Sequence, residues 1–467
     1  MQLEILGGRV LAPYFGYSVY QWGALIGVVM TALAIGYWLG GRVGDRTGAA
    51  GFLFWAFAVS AAFVVVVPPF ADAFMPATRV LGPAWGAVAA TALLLGVPSV
   101  LLATTSPIII RLTATEMIAR DAGRVYAVST VGSIAGTFFT AFYIIPELGS
   151  RLGHFVVAGL IAMALVALAL TGRRPLRLTI PALLIAGVAA LGGPPARPGV
   201  LYRAETLHNI ITVMDVGPTR LLFLNYTRGA QTVMVKGRLL TGSYYDYFLL
   251  GPRIAGGDKV LFLGTAGGTA LKQLVRVYPK LRVTGVDLDP QVIAVARKYF
   301  GLANEPRVTL VAADARWFLS RSRARYDMIA IDLYVTGHIP FFAATREFFA
   351  MVRDRLTERG VLMVNILSLE RSGELVGPLV RTVRTAFPST FLIDSGNYIL
   401  LASKQAISLR ALRDRLAEPV GNPVLQAVAA RALNTLRAST PGPKWPIFTD
   451  DRNDVEFRTF RANERIM

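Results

Sequence analysis

Apolar residues run almost unbroken through the first part of the chain. From Val200 onward they come in short, strand-length blocks separated by amphipathic stretches. Roughly 20 apolar residues carry an α-helix across the hydrocarbon of a bilayer, and the runs 22–39, 51–67, 85–102, 126–145, 154–170 and 178–191 approach that length. The last is short and contains Pro181. The pattern predicts an α-helical membrane domain of about six spans over residues 1–191. Residues 1–20 are half apolar and read as the tail of a further helix or as an interfacial segment. They lack the basic start, apolar centre and small-residue cleavage site of a signal peptide.

The proline and glycine density of GGPPARPG at 192–199 cannot continue a helix or a central strand, which marks a linker. Beyond it the period changes. Strands are predicted at 208–214, 220–225 and 231–235, with turns at Gly217-Pro218 and Arg228-Gly229, giving a small β region within 200–250. An α/β core follows over 251–467. Its strands, at 260–263, 283–286, 308–311, 326–331, 361–366, 390–393 and 398–402, are interleaved with helices such as 345–356 and 374–387.

Composition agrees with a chain partly in lipid: 54% of residues are hydrophobic and the mean hydropathy is +0.51. With no cysteine, disulfides, thiolate metal sites and a cysteine nucleophile are excluded. His154, His208 and His338 lie far apart in sequence, so no metal is expected. The net charge of +19 comes from arginines scattered through the helices rather than gathered in one stripe, which favours anionic lipid headgroups over nucleic acid as partners. No acid or lysine falls in mid-span, which counts against a proton-coupled transporter. The segment from Gly40 to Gly48 resembles the G-x-x-x-D-R loop of major facilitator transporters, though tight helix packing and positive-inside charge explain it better than a transport role, and similar packing suits Gly132 to Gly136.

Arginines 42, 46, 111, 120, 124, 173, 174 and 177 occupy alternate loops, which the positive-inside rule places in the cytoplasm. That count leaves the chain outside after a sixth span. Either 178–191 does not cross or the second half is extracytoplasmic; the chemistry of the second half, taken next, favours a cytoplasmic face of the inner membrane.

The candidate chemistry begins where strand 260–263 breaks into Gly264-Thr265-Ala266-Gly267-Gly268 before an amphipathic helix. Glycine lets the backbone approach a nucleoside closely and turn with positive φ. Asp287 ends the next strand about 20 residues on, the spacing at which a carboxylate meets a ribose diol. G-x-x-G-G with that acid is not the dinucleotide order. It is the arrangement of nucleoside sites without a pyrophosphate, above all those for S-adenosylmethionine or its decarboxylated form. A tight turn in an ordinary α/β sheet is the plainer alternative.

Residues 200–467 resemble the spermidine synthase family of aminopropyltransferases, and the whole chain is similar to bacterial membrane proteins in which a multi-span region precedes such a domain. The resemblance implies a Rossmann-like, methyltransferase-type fold. It also implies that Asn209, in the strand Leu207-His208-Asn209-Ile210, stands at a cofactor-binding position. Gly264, Thr265, Ala266, Gly267 and Gly268 form the cofactor loop, Asp287 and Leu288 meet the ribose and its surroundings, and Asp314 and Ala315 meet the adenine. Tyr244-Tyr245-Asp246 falls at the amine substrate, and Asp450-Asp451 recurs beside the site. Asp332 opens the active-site loop Asp332-Leu333-Tyr334-Val335, where the family's second acid is replaced by valine; Asp332 and Tyr334 are the catalytic candidates. Gly337 to Phe342 reads as a lid with a glycine hinge.

The implied activity is aminopropyl transfer from decarboxylated S-adenosylmethionine to an amine. A methyltransferase using S-adenosylmethionine on a lipid or other hydrophobic acceptor is a second reading, and a transporter or sensor with a non-reacting adenosine domain a third. A homodimer is one possible assembly, and the sequence does not decide the oligomeric state.

Overall fold

The structure is a computed structural model that describes residues 1–16, 18–114, 116–171, 198–225, 229–303, 305–367 and 373–463. The chain divides into two compact units, Met1–Ala196 and Arg197–Met467. The expected span 178–191 and most of the linker lie outside the described residues.

The first unit is helical. Among the described residues, four helical runs are long and apolar enough to cross a membrane: Val19–Gly44, Ala49–Val66, Ala84–Thr113 and Ile118–Leu170. The last has 53 residues, about 80 Å at 1.5 Å per residue, more than twice a bilayer's hydrocarbon. Gly149, with φ 75°, breaks it after a π-turn that contains Pro146. The expected spans 126–145 and 154–170 fall on either side of this break.

Residues 1–20 differ from the interfacial expectation. Gln2–Phe15 forms a helix whose Leu6, Leu11, Tyr14 and Phe15 are buried within the bundle. Gln21 ties it down by donating from Nε2 to Gly8 O at 2.7 Å. The next helix then packs by its glycines. A Cβ at Gly36 would lie 2.4 Å from Val100 O, and one at Gly40 2.7 Å from Thr104 O, whereas Gly41 faces open space. Of the second small-residue cluster, a Cβ at Gly136 would lie 3.0 Å from the Gln2 side chain, and one at Gly132 would face open space. An Arg111–Asp45 ion pair of 3.1 Å joins the helix ends near the glycine-rich turn.

In the second unit β1 (Val200–Glu205), β2 (Ile210–Val216), β3 (Thr219–Leu224) and β4 (Thr232–Val235) form an antiparallel meander. Its buried Ile211, Val213 and Leu222 pack on Val292, Val295 and Phe300, residues of the helix Pro290–Phe300. The β1 strand is absent from the sequence reading because its burial is only partial, alternating with full exposure.

The larger sheet comprises β5 (Lys259–Leu263), β6 (Arg282–Asp287), β7 (Val308–Ala312), β8 (Tyr326–Ile331), β9 (Leu356–Ile366), β10 (Ser389–Asp394), β11 (Tyr398–Ser403) and β12 (Arg437–Ala438). Their order is β12-β10-β11-β9-β8-β5-β6-β7. The strands from β5 to β9 run parallel, and β11 is inserted antiparallel between β9 and β10. This is the methyltransferase-like order expected from the resemblance, extended at one edge by the two-residue β12. The β5 strand reads V-L-F-L because helices cover both faces of a central parallel strand. Its side chains alternate, so Val260 and Phe262 enter one core and Leu261 and Leu263 the other.

Asp246 stitches these layers together instead of lining a substrate site as expected. It is fully buried. Oδ1 accepts from Thr241 N, Thr241 Oγ1 and Gln273 Nε2, and Oδ2 from Gly242 N and Arg431 Nη2, all within 3.0 Å. Gln273 belongs to the helix Thr269–Val277 and Arg431 to the helix Pro423–Thr435, so one carboxylate joins both to the turn that carries Tyr244.

Replacing Asp246 by alanine leaves the donors of Thr241, Gly242 and Gln273 without their acceptor, at about 1–3 kcal/mol for an unsatisfied buried group; denaturant unfolding of the variant should show that loss. In the helical unit Gly40→Leu should lower the thermal midpoint in detergent, overpacking of this kind costing about 1–3 kcal/mol. Gly41→Leu, one residue away, should leave it unchanged.

Candidate active site

The carboxyl ends of β5, β6 and β8 meet where the strand order reverses, which is where open α/β sheets bind ligands. β5 runs straight into the glycine loop. Gly264 takes φ 85° and donates its N–H to Val286 O at 2.9 Å. A Cβ there would lie 2.2 Å from Asp332 O. Only a residue without one lets the ends of β5 and β8 come this close. Gly268, with φ 78°, then starts the helix Thr269–Val277. Gly267 donates to Thr232 Oγ1 at 2.7 Å, which ties the loop to the meander.

Asp287 closes the loop from β6. Its Oδ2 accepts from Ala266 N at 2.9 Å and from Thr265 N at 3.1 Å, and its Oδ1 accepts from Asp289 N at 3.2 Å. Desolvation pushes its carboxyl up to about 6, against the pull of those backbone donors. Leu288, next in the chain, leaves its side chain exposed. Asn209 comes to the same corner, donating from Nδ2 to Asp289 Oδ2 at 3.0 Å. Thr206 donates to that oxygen at 2.5 Å, and Asn225 donates to Asn209 Oδ1 at 3.1 Å. Asp314 caps the helix Ala315–Arg321 by accepting from Trp317 N at 2.8 Å, while Ala313 N reaches Asp287 O at 2.9 Å.

The second acid is held differently. Asp332 follows β8 and donates its N–H to Leu263 O at 2.9 Å. Its Oδ2 accepts from the Tyr244 hydroxyl at 3.0 Å and its Oδ1 from Asn365 Nδ2 at 2.8 Å. Burial pushes this carboxyl also up to about 6, while the Asn365 and Tyr244 bonds pull it down. Tyr244 packs on Tyr245 with ring centroids 4.0 Å apart, and its hydroxyl is pushed well above its ordinary value by burial and by Asp332. Tyr245 donates to Gln231 O at 3.1 Å.

Tyr334 lies in the same loop, but its hydroxyl bridges backbone. It donates to Asn365 O at 3.1 Å and accepts from Leu367 N at 2.6 Å, and burial raises its pKa. The expected hinge at Gly337 is instead half of a two-residue turn: Thr336 and Gly337 take φ of 50° and 81°, and Val335 and His338 exchange N–H···O bonds of 2.8 and 3.0 Å. Asp450 pairs with Arg316 through both oxygens at 2.8 and 2.5 Å, which holds its carboxyl below the ordinary range, and Asp451 beside it is exposed. The pair locks the C-terminal segment to the helix Ala315–Arg321.

Sequence reasoning missed Asn365, Asp289 and Arg316. Asn365 left one signal, a lone polar residue at the carboxyl end of the otherwise apolar V-L-M-V-N-I.

Residues 252–393 match the spermine/spermidine synthase domain. A probable polyamine aminopropyl transferase of Bifidobacterium longum is 31% identical over 286 residues, covering 57% of this chain and 64% of that protein. A polyamine aminopropyltransferase of Vibrio vulnificus is 26% identical over 193 residues, covering 40% of this chain and again 64% of its own length. The chain thus spans just under two thirds of these relatives. A crystal structure of a probable spermidine synthase from Corynebacterium glutamicum superposes with a TM-score of 0.40 at 19% identity, over 54% of this chain and 99% of that one. With that domain match falling on the strands that build this edge, the second unit is similar to the spermidine synthase family.

Proposed function

We propose that the C-terminal unit is a transferase that joins an aminopropyl group from decarboxylated S-adenosylmethionine to an amine. The observation that carries this reading is the Asp332 carboxylate, held by neutral donors at a strand end against the glycine loop. The domain match and the aminopropyltransferase relatives support it.

The residues fit an adenosyl group. Asp287 Oδ1 accepts one backbone bond, and a carboxylate oxygen has room for a ribose hydroxyl besides. Exposed Leu288 offers apolar surface for the adenine ring. The loop Gly264 to Gly268 brings bare backbone to the nucleoside, Asn209 braces the corner through Asp289, and Asp314 and Ala315 close it from the β7 side. When bound, decarboxylated S-adenosylmethionine supplies an aminopropyl group on a sulfonium that leaves as a neutral thioether.

The chain's own work is to position the acceptor and free its lone pair. An amine arrives protonated at neutral pH. Asp332, with one hydrogen bond on each oxygen, keeps lone pairs to accept from that ammonium and takes its proton. Tyr244, packed on Tyr245, sets its hydroxyl on that carboxylate. Tyr334 holds the end of β9 in place. Asp450 and Asp451 act at most by fixing the C-terminal segment.

We infer also that the helical unit anchors the enzyme in a membrane, with the C-terminal unit on the cytoplasmic side where its cofactor is made. Exposed Trp22, Met30, Trp38, Trp55 and Phe142 support lipid contact along those helices.

The deciding experiment incubates the full chain in detergent with decarboxylated S-adenosylmethionine, then with S-adenosylmethionine, and with a panel of amines and lipids. Methylthioadenosine should accumulate; S-adenosylhomocysteine in its place would make the protein a methyltransferase. Asp287→Ala should abolish methylthioadenosine binding by calorimetry. Asp332→Asn should bind it normally yet lose about 10²–10⁴-fold in turnover, the range for a removed general base.

Because the Asp332 carboxyl titrates at about 6, it is protonated below that pH and cannot accept the amine's proton. The rate should therefore climb as pH rises through about 6 and level off above it. Asp287 titrates at a similar pH, so methylthioadenosine binding followed across the same range separates the two effects.

A further inference from the structure

Asp332 is oriented by a relay that begins in a different part of the sheet. Asn365, buried at the end of β9, donates from Nδ2 to Asp332 Oδ1 at 2.8 Å, and its own Oδ1 accepts from Asn397 Nδ2 at 2.8 Å. A carboxamide has nearly the same shape when turned end for end. Which end faces the acid is decided by what its other end meets. An ionised carboxylate only accepts, so it needs the NH2 end, and a donor is then required behind the carbonyl. Asn397 is that donor.

The loop carrying Asn397 is built to hold still. Asp394 pairs with Tyr398, leaving Ser395-Gly396-Asn397 as the hairpin tip between β10 and β11. Ser395 donates from N and Oγ to Asn397 O at 2.7 and 2.8 Å, and Gly396, with φ 91°, donates to Asp394 Oδ1 at 3.3 Å. β11 also pairs with β9 so that Ile399 lies opposite Asn365. The distance from Asn397 to Asn365 is thereby set by sheet register.

We propose that Asn397 is a positioning residue: its amide holds the NH2 end of Asn365 against Asp332 and so keeps that carboxylate aimed and ionised. The proposal rests on Asp332 being the proton acceptor. The titratable groups facing Asp332 are Tyr244 and Tyr245 from the turn before the core and Tyr334 from its own loop. β9 and the β10–β11 tip present the neutral amides Asn365 and Asn397. Were Asn365 reversed, its carbonyl oxygen would face a carboxylate oxygen, and the pair would need a proton between them.

The test uses the full chain in detergent, with decarboxylated S-adenosylmethionine and 1,4-diaminobutane as probes and methylthioadenosine release as readout. Asn397→Asp keeps the size of the side chain but presents an acceptor, which turns Asn365 round. The acid limb of kcat/KM should move up by about one pH unit, about a fivefold loss at the old midpoint and tenfold well below it, with methylthioadenosine affinity and thermal midpoint unchanged. Asn397→Leu, which adds no charge, should move the limb in the same direction by less. Limbs that superimpose on the parent's in both variants overturn the proposal. Asp332→Asn runs alongside: if that variant keeps its turnover, the proton-acceptor reading falls. The relay itself is then judged by the 13C titration of the Asp332 carboxyl, which must shift upward in Asn397→Asp and, if it does not, refutes the relay.

Discussion

The second unit depends on one close approach, the absence of a side chain at Gly264 where β5 passes the carbonyl of Asp332. Parallel strands in a twisted sheet diverge at their ends unless something holds them. Here the backbone bonds Gly264 N to Val286 O and Asp332 N to Leu263 O pull three strand ends together. From that convergence follow the placing of the glycine loop over β6, the reach of Asp287 to the loop's N–H groups, and the setting of Asp332 beside it.

The two acids of this edge share an electrostatic design. Among the described residues neither is paired with a cation. Asp287 rests on backbone N–H groups and Asp332 on a tyrosine and an amide, so burial outweighs the stabilisation of charge and both are pushed up to about 6. Asp215 in the meander shows the opposite case: Arg220 and Lys236 hold its carboxyl far below the ordinary range. Neutral donors orient an acid while leaving it near the pH at which it can exchange protons. A guanidinium would orient it and remove it from that range.

The sequence announced the parallel core clearly because buried central strands read as unbroken apolar blocks, and the loop and both strand-tip acids came with them. Solvent-edged elements were harder. β1 alternates partial burial with exposure, and the helices Leu409–Ala417 and Pro423–Thr435 carry arginines that mask their buried stripes of Leu412 and Leu416, Leu425 and Val428. Asp246 was legible as a position but not as a role, since its partners Gln273 and Arg431 lie 27 and 185 residues away. Asn397 could not have been found at all: its partner across 32 residues is set by strand register, and an Asn after Gly at a hairpin tip has a sufficient local reason to be there.

Ala266 sits in the same loop with φ 44°, a left-handed conformation that costs an alanine about 1–2 kcal/mol. Its N–H is latched to the Asp287 oxygen that also receives Thr265. A hydroxyl competing for that oxygen would loosen the latch and let the bent peptide unwind toward an ordinary geometry, whereas one bound at the other oxygen would leave the latch shut. The bend therefore ties the shape of the loop to which of the two carboxylate oxygens a guest engages.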